Sequence, residues 1–304
     1  MTLHAVRPTG HEYLTLVTDL LQRRRLADPF AGLWEAADLQ WWYTRDPHPH
    51  DADAVVWVDG DAPVTAAVLT RWSASRYGCG VLGDPTLAAA WEFVHRRCGE
   101  LAAASIEMEV DATSPVSAAE AVRAGFTERV ETIAVSWLDA ADRAAVRALP
   151  DGYTLVARPE QDGPHPMVKR NGADVEARLR HCSLYDPELD LALLTDDGAV
   201  AGYAMFWADP RTCVGLVEPM RIEDMHSGRG LAGTLLRAGL DALAARGCDR
   251  FKVSHALANP AAERAYLGAG FRTHQHVEVC CYRGGRSPRL QHRDGGTWTG
   301  AASG

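Results

Sequence analysis

Hydrophobic and polar positions in the second half of the chain change period several times, between the alternation of a half-buried strand and the spacing of a helix. The pattern predicts strands at 213–222, 250–255 and 274–282 and helices at 231–246 and 260–268. In the longer helix five leucines fall on one broad arc, and Arg237 and Asp241 are predicted opposite them. This spacing is typical of a helix packed on a sheet and predicts an α/β domain.

An internal repeat relates the two halves of the chain. Residues 114–126 align with residues 259–271 without a gap, and the same offset places the strand-like residues 106–110 on 251–255. Upstream, each copy has a strand ending in Arg-Pro, a helical segment, and two apolar runs joined by Asp-Gly, which is a hairpin signal because glycine accepts positive φ. The first copy is about ten residues short where the second carries a glycine-rich loop.

The repeat predicts two domains, with a boundary in the turn-rich stretch 149–152 after a predicted helix over 139–148. The first domain is predicted at 1–149 and the second at 150–282. Residues 283–304 are rich in glycine, serine and arginine and almost free of aliphatic side chains, so they are predicted to be a disordered tail.

Composition narrows the class of protein. A chain of 304 residues fits two domains of ordinary size. Its 31 basic and 40 acidic side chains give a net charge of -9, which disfavours nucleic-acid binding because phosphate backbones are held mainly by Lys and Arg. No apolar run is long enough to span a membrane, and seven thinly spread cysteines indicate reduced thiols. We therefore predict a cytoplasmic protein that binds neither nucleic acid nor membrane.

The glycine-rich loop at 226–233 reads His-Ser-Gly-Arg-Gly-Leu-Ala-Gly and leads directly into the leucine-rich helix. Glycines that permit close approach, followed by a helix N-terminus, form an anion site from backbone N–H groups. The alternative is a loop that only reverses the chain. The spacing fits neither a Walker-type phosphate loop nor a dinucleotide fingerprint.

Several motifs of the second copy occur in one order, namely Glu218-Pro219, Ser227–Ala232, Asn259–Ala262, Tyr266 and Gly270-Phe271. Together they resemble the GNAT superfamily of acetyl-CoA-dependent N-acetyltransferases, in a tandem arrangement with a degenerate first copy. The family loop reads Gln/Arg-x-x-Gly-x-Gly/Ala, so Gly230 and Ala232 match and Ser227 departs from the pattern. The resemblance implies two tandem GNAT-like α/β domains, each a mixed, mostly antiparallel sheet flanked by helices.

The resemblance also implies that the second copy binds acetyl-CoA as co-substrate. The fourth and fifth strands would splay apart, and backbone groups of the fourth would hold the pantetheine arm. The implied cofactor-binding residues are Met220, Arg221, Ile222, Gly228, Arg229, Gly230, Leu231, Ala232, Gly233, Asn259 and Ala262.

Two side chains are candidates for moving protons. An amine with a pKa near about 10.4 is mostly protonated at neutral pH, so a base must accept a proton. Glu218 lies in an otherwise apolar run and is the candidate base; alternatively it belongs to a surface ion pair. By resemblance Tyr266 is the general acid, although a helical tyrosine also commonly packs on a sheet. Asn259 would bind pantetheine, cap the following helix, or do both.

No metal is needed for this chemistry, and none is predicted. The side chains of His274, His276, Glu278 and Cys280 share one face of a predicted strand. Their spacing is not that of a structural zinc site, and the alternation with valines fits a half-exposed strand instead.

The first copy lacks the expected machinery. Tyr266 and Asn259 align with Ala121 and Ser114, and the loop residues Arg229 and Gly230 align with Asp84 and Pro85. An aspartate repels a pyrophosphate and a proline removes an N–H donor, so this copy is predicted to be catalytically silent and to bind no CoA. A remaining aromatic cluster is read as core or as a wall of the acceptor cleft: Trp34, Trp41, Trp42 and Tyr43.

The sequence thus predicts an N-acetyltransferase that acts on a primary amine by direct attack in a ternary complex. A small-molecule acceptor is favoured over a protein, since the acidic chain suits a cationic amine. The alternatives are a non-catalytic acyl-CoA-binding sensor and a purely structural scaffold. Acceptor identity, acyl length and oligomeric state are not predicted.

Overall fold

A computed structural model describes residues 3–45, 53–73, 75–101, 105–111 and 113–283. The described chain forms two compact units. The first contains the residues up to Ile133 together with those from His276 onward, and the second contains Ala134–Gln275. Two long strands, one in the middle of the chain and one near its end, are therefore shared between the units.

The first unit is built from nine elements and parts of two more. They are β1 (Leu3–Val6), α1 (Gly10–Ala27), α2 (Ala36–Arg45), β2 (Asp53–Asp59), β3 (Ala62–Ser73), β4 (Arg76–Gly83), α3 (Ala88–Glu100), β5 (Ser105–Asp111), α4 (Pro115–Arg123), the start of β6 (Phe126–Asp139) and the end of β12 (Arg272–Tyr282). The strand order is β1-β2-β3-β4-β5-β12. Pairing is antiparallel except between β4 and β5, which are parallel.

The second unit repeats this plan. Its elements are the end of β6, β7 (Tyr153–Ala157), α5 (Val168–Asn171), α6 (Val175–Leu179), β8 (Asp190–Thr195), β9 (Val200–Asp209), β10 (Val214–Ile222), α7 (Leu231–Ala245), β11 (Arg250–Ala256), α8 (Pro260–Ala269) and the start of β12. The strand order is β6-β11-β10-β9-β8-β7. The pairs from β7 to β10 are antiparallel, and β10 and β11 are parallel. The mixed, mostly antiparallel sheets confirm the predicted fold class.

The internal repeat is present in the backbone. At the sequence offset between the copies, β5 and β11 begin and end at matching positions, and α4 and α8 both start with a proline. Their N-caps are Ser114 and Asn259, and the glycine after each helix has nearly the same φ, +103° at Gly125 and +106° at Gly270. Only glycine adopts this backbone conformation without strain, so the aligned glycines have a common structural cause.

The core of the second unit forms where α7 packs on the sheet. All five leucines of α7 are buried, as the periodicity predicts. Each such side chain contributes about 1.5–3 kcal/mol when removed from water. Arg237 differs from its prediction, because it is only 4 % exposed and does not lie on the polar side of the helix. Its guanidinium donates to the carbonyl oxygens of Gly233 and Gly268, which offsets part of the penalty of burying a charge without a counter-ion.

The predicted helix over 139–148 is wrong. β6 continues to Asp139, and only a short turn of 3-10 helix follows at Ala140–Asp142. The segment after it is largely exposed and presents no continuous apolar face. A helix this short is marginal without tertiary packing, so good helix propensity alone does not form one here.

The shared strands also differ from the predicted division at 149–152, because the compact units change over inside β6 and β12. The assignment of separate functions to 1–149 and 150–282 stays a prediction. The predicted tail at 283–304 lies outside the described residues except for Arg283, whose backbone N–H donates to the Gly125 carbonyl at 2.9 Å.

All seven cysteines are free thiols, and six of them are buried. Among the helices of the described ranges, none combines the length and apolar character that crossing a bilayer requires.

Candidate active site

The central feature of the second unit is a divergence between its two parallel strands. β10 and β11 pair only from Val214–Leu216 to Arg250–Lys252, although β10 continues to Ile222 and β11 to Ala256. On its other side β10 keeps its pairing with β9, with an irregularity at the Glu218-Pro219 step between Val217 and Met220. A gap therefore opens beside the second half of β10, as the resemblance implies.

Backbone groups of β10 face this gap at alternate residues. The N–H of Glu223 donates to Ala201 at 2.9 Å, so Glu223 and Arg221 direct their backbone groups toward β9. Met220 and Ile222 direct theirs the opposite way, into the gap. Of the three implied pantetheine-binding residues, two thus have backbone donors and acceptors in the required direction, and Arg221 does not.

The glycine-rich loop presents an uncapped helix start. Gly228 and Gly230 have φ of +77° and +80°, and a side-chain carbon built on either would meet no atom within 4 Å. Gly230 is the N-cap of α7 and supplies no side chain to the first-turn N–H groups. Those groups and the exposed Arg229 are therefore directed toward solvent, while Leu231 is 1 % exposed and anchors the helix in the core.

Gly233 has a packing role that the motif alone does not reveal. A side-chain carbon at this position would lie 2.8 Å from the guanidinium of Arg237. The absence of a side chain at Gly233 leaves room for the Arg237 guanidinium. Arg237 can then donate to carbonyl oxygens of both α7 and α8 and so link the two helices. Ala232 is half-buried beside it.

Glu218 and Tyr266, the two predicted proton-moving residues, lie close together. Both are buried, at 7 % and 3 % exposure. Burial raises the pKa of the Tyr266 phenol well above its usual range, and the Glu218 carboxylate raises it further by disfavouring a second negative charge. Tyr266 is therefore protonated at neutral pH, which is the state a proton donor requires.

His255 completes this cluster and was missed by sequence reasoning. It lies on β11 beyond the end of the β10 pairing, is 1 % exposed, and its ring centroid is 5.5 Å from that of Tyr266. The ring of Phe271 also packs edge to face against the Tyr266 ring, with the two centroids 6.0 Å apart. The available signal was its position in β11, but a lone histidine in an apolar strand is more often core.

A buried network supports the backbone at Glu218. Trp207 donates from Nε1 to the Glu218 carbonyl oxygen at 2.6 Å, and its ring lies 6.2 Å from that of Tyr185. Tyr185 donates to Asp190 at 2.9 Å, and the same carboxylate oxygen lies 2.6 Å from Nε2 of His165. Sequence reasoning missed these residues because they come from four separate segments.

Asn259 occupies the N-cap of α8, and its side-chain oxygen accepts the N–H of Ala262 at 3.1 Å. The capping alternative is therefore observed. This bond joins two implied cofactor-binding residues and uses the amide oxygen only, which leaves the amide N–H groups of Asn259 available as donors.

Comparison with known proteins agrees with this geometry. A family model described as the acetyltransferase (GNAT) family matches residues 154–271. Residues 154–271 are therefore similar to a GNAT acetyltransferase domain. The family transfers acyl groups from acyl-CoA, and the matched range contains the β10–β11 gap, the loop and α8.

Solved structures extend the likeness to both units. A tandem GNAT protein from the clavulanic acid biosynthesis pathway, solved without AcCoA, shares 18% identity over 94% of this chain and 100% of its own, with a TM-score of 0.63. A GCN5-related N-acetyltransferase from Sphaerobacter thermophilus shares 17% over 92% and 95%, with a TM-score of 0.58. A GNAT-family acetyltransferase from Colwellia psychrerythraea shares 11% identity over 93% of this chain and 99% of its own, with a TM-score of 0.56. At these identities the likeness shows the fold, which is that of a tandem GNAT protein. No curated protein sequence matches the chain.

Two side-chain contacts fix the start of the glycine-rich loop in the second unit. Arg170 forms a two-pronged ion pair with Glu223 at 2.9 and 3.2 Å, and this hydrogen bonding lowers the pKa of the Glu223 carboxyl. The hydroxyl of Tyr153 lies 2.9 Å from Nδ1 of His226. The first contact acts shortly before the glycine-rich loop, and the second acts on the first residue of the loop.

The GNAT-like first unit differs at each aligned site position. Ala121, in place of Tyr266, is buried in the core. Asp84 bonds within its own turn to Thr86, and the Pro85 carbonyl accepts from Trp91 at 2.9 Å. The aromatic cluster is core-like: Trp34, Trp41 and Trp42 are buried, and Trp34 and Trp42 pack edge to face at 5.8 Å.

No group of three metal-ligating side chains comes together within the described ranges. Of the four residues weighed as metal ligands, Glu278 pairs with Arg129 at 2.9 Å and Cys280 lies in the core of the first unit.

Proposed function

We propose that the second unit is an N-acetyltransferase that moves an acetyl group from acetyl-CoA to the primary amine of a small molecule, by direct attack in a ternary complex. The observation that carries this proposal is that, where β10 and β11 diverge, the Glu218 carboxylate lies near enough to a protonated Tyr266 to raise the pKa of its phenol. A base and an acid at one strand divergence match what amine acylation by a thioester requires.

The same unit has the features needed to hold acetyl-CoA. Met220 and Ile222 offer backbone groups to an extended pantetheine arm, in the manner of an added strand. The uncapped start of α7 and Arg229 suit the pyrophosphate. The bound thioester supplies the activated acetyl group, and Asn259 offers its free amide donors to the arm.

The chain's own residues then handle protons. Glu218 accepts a proton from the incoming ammonium, directly or through water, because an amine with a pKa near about 10.4 must be neutral to attack. Tyr266 holds its proton at neutral pH and donates it toward the departing sulfur. We infer a small amine acceptor from the net charge of -9, which favours a cationic partner.

The first experiment is a calorimetric titration of acetyl-CoA into the full chain. We expect one site per chain, lost or weakened at least about tenfold in Gly230→Asp, because a carboxylate at the helix N-terminus repels the pyrophosphate. The matched control is Gly247→Asp. Gly247 has a similar φ of +85° and open surroundings, but it follows the other end of α7. Two sites per chain would contradict the prediction that the first unit binds no CoA. No binding at all would contradict the proposal that the protein is an acetyltransferase.

A non-catalytic acyl-CoA sensor is the second candidate, favoured by the 3 % exposure of Tyr266, which also suits a purely structural aromatic. Tyr266→Phe separates the two. If Tyr266 is the acid, we expect kcat to fall about a hundredfold or more with the acetyl-CoA Kd unchanged. Tyr282→Phe, in the first unit, is the control. A parent protein that binds acetyl-CoA but acetylates no amine in a broad panel would favour the sensor.

A further inference from the structure

The first unit contains a cavity at the position that corresponds to the cofactor gap of the second. β4 and β5 pair from Arg76–Cys79 to Ser105–Met108 and then diverge, as β10 and β11 do. A cavity of about 70 Å³ lies in this divergence, lined by both strands, by α1 and by the start of α4. The duplicated architecture has therefore kept an opening here, although the aligned loop residues have changed.

Trp34 alters the shape of this opening. Its ring lies against the backbone of β4, where a side-chain carbon on Gly80 would come within 3.1 Å of it. Its Nε1 donates to Glu109 on β5 at 3.2 Å. The indole thus spans both diverging strands and fills the space that a pantetheine arm would need. What remains is a short, polar-ended cavity with Trp34 and Trp91 in its wall.

Arg24 brings a positive charge to the cavity. Its guanidinium donates to the carbonyl oxygen of Gly83, the last residue of β4. Arg24 forms no ion pair within the described part of the chain, so most of its donor groups are not used by the protein. Burial, and then the neighbouring Arg25, lower its pKa, while the carboxylates of Asp84, Asp28 and Asp111 act in the opposite direction without forming an ion pair with it.

Asp111 brings a negative charge to the same cavity. One carboxylate oxygen accepts from the N–H and the hydroxyl of Thr113, at 2.8 and 2.6 Å. Its other oxygen accepts no hydrogen bond from the residues that the structure describes. Asp111 interacts with Arg24 only at a distance, without forming an ion pair. The cavity is therefore lined by one cationic side chain, Arg24, and two anionic ones, Asp111 and Glu109. Glu109 already accepts from Trp34, whereas Arg24 and Asp111 each have unused hydrogen-bonding capacity.

We propose that this cavity binds a small α-amino acid as its zwitterion, with the carboxylate on Arg24 and the ammonium on Asp111. A ligand that carries both charges satisfies both side chains, whereas a simple acid or a simple amine leaves one of them uncompensated. At about 10–15 Å³ for each water-sized sphere, the cavity has room for about five to seven heavy atoms, the size of glycine or alanine. The hydroxyls of Ser114 and Ser117 line the same space.

This site is independent of acyl transfer, because it lies within the first unit and needs no acyl-CoA. Its test is a calorimetric titration of L-alanine into the full chain without acyl-CoA, with acetate and ethylamine as single-charge comparators. We expect L-alanine to bind at one site per chain and to bind more tightly than either comparator. Failure here would leave acetyl-CoA binding unaffected, so the two proposals fail separately.

Arg24→Ala should weaken L-alanine binding about tenfold to a hundredfold, since a hydrogen-bonded charge pair is lost. The matched control is Arg23→Ala, the neighbouring residue on α1, whose side chain is exposed and pairs with Asp19 at 3.0 Å. Asp111→Asn is a second variant, to be used also if Arg24→Ala does not fold. It should lose the preference for L-alanine over acetate.

Three results would overturn the zwitterion site. They are the absence of any L-alanine binding, equal affinity for L-alanine and acetate in the parent protein, and affinity unchanged in both Arg24→Ala and Asp111→Asn.

Discussion

At the scale of single residues, Glu131 on β6 has an environment that disfavours its charge. Burial, and to a smaller extent repulsion from Glu107, raise the pKa of its carboxyl from 4.5 to about 7, against an opposing attraction from Arg76. One carboxylate oxygen is buried and accepts no hydrogen bond from the described residues. At neutral pH the first unit therefore contains a partly ionised and poorly solvated acid.

We predict that Glu131→Gln changes how stability depends on pH. A raised folded-state pKa gives stability that is fully present below pH 4.5, the unfolded value, and is lost as pH rises through about 7. The amide cannot ionise, so the variant should gain stability relative to the parent protein above neutral pH but not below pH 4.5. Urea midpoints across this range measure the effect. Glu92→Gln, at an exposed site on α3, is the control, and its stability relative to the parent protein should not change with pH in this way.

Residue identities in the candidate site were predictable only where a local motif carries them. Glu218 was predicted from its place in an apolar run, and Asn259 and Tyr266 from the family resemblance; in the structure the Glu218 carboxylate acts on the Tyr266 phenol. His255 and the Trp207 network were not predictable, because their contacts join segments far apart in sequence. Burial of a charged side chain such as Arg237 likewise depends on carbonyl groups that only the folded chain brings near it.

At the scale of elements, α7 approaches the sheet closely at Gly239. A side-chain carbon at this position would lie 2.0 Å from the ring of Phe206 on β9. Phe206 is itself 2 % exposed and has little room to move. The distance between helix and sheet is therefore set by the absence of a side chain at one helical position.

Gly239→Ala should destabilise the protein by about 1–3 kcal/mol, because the overlap outweighs the gain in helix propensity. The control is Gly268→Ala on α8, where a side-chain carbon meets no atom within 4 Å. That change should be neutral or stabilising. Thermal denaturation of both variants beside the parent protein compares them, and equal stability of the two variants would contradict the prediction.

Elements were predictable where the pattern is long and periodic. The five elements of the second unit that were predicted with bounds lie within one or two residues of their predicted ends, as for α7 and β11. The predicted helix over 139–148 failed because propensity was its only support, and tertiary packing decides the state of short segments. The irregularity at Glu218-Pro219 gave no signal in the periodicity.

At the scale of the whole molecule, each unit is completed by a strand from the other half of the chain. The end of β12 pairs with β5 over five residue positions, from Val277 to Cys281, and adds Cys280 to the core of the first unit. The end of β6 lies beside β11 and places Leu138 in the core of the second. The repeat predicted two domains but not this exchange, because a repeat shows which segments are similar and not which of them pair.

A chain that ends at Phe271 should therefore lose the fold of its first unit, although every residue up to Ile133 is retained. Removing β12 leaves the edge of β5 unpaired, and open strand edges promote aggregation. Hydrogen exchange at β4 and β5 amides measures the loss. A chain that ends at Arg283 keeps all of β12 and should match the full-length protein. Protected β5 amides in the shorter chain would contradict the expectation.

Because the end of β12 belongs to the first unit, that unit can finish folding only after the ribosome has synthesised almost the whole chain. The first unit emerges early in translation but lacks its last strand until almost the entire second unit has been synthesised. Meanwhile a nascent chain exposes the edge of β5, where a chaperone would have to prevent pairing with a neighbouring polypeptide. The two units must therefore mature together, and a simple truncation of the chain cannot remove one unit and leave the other complete.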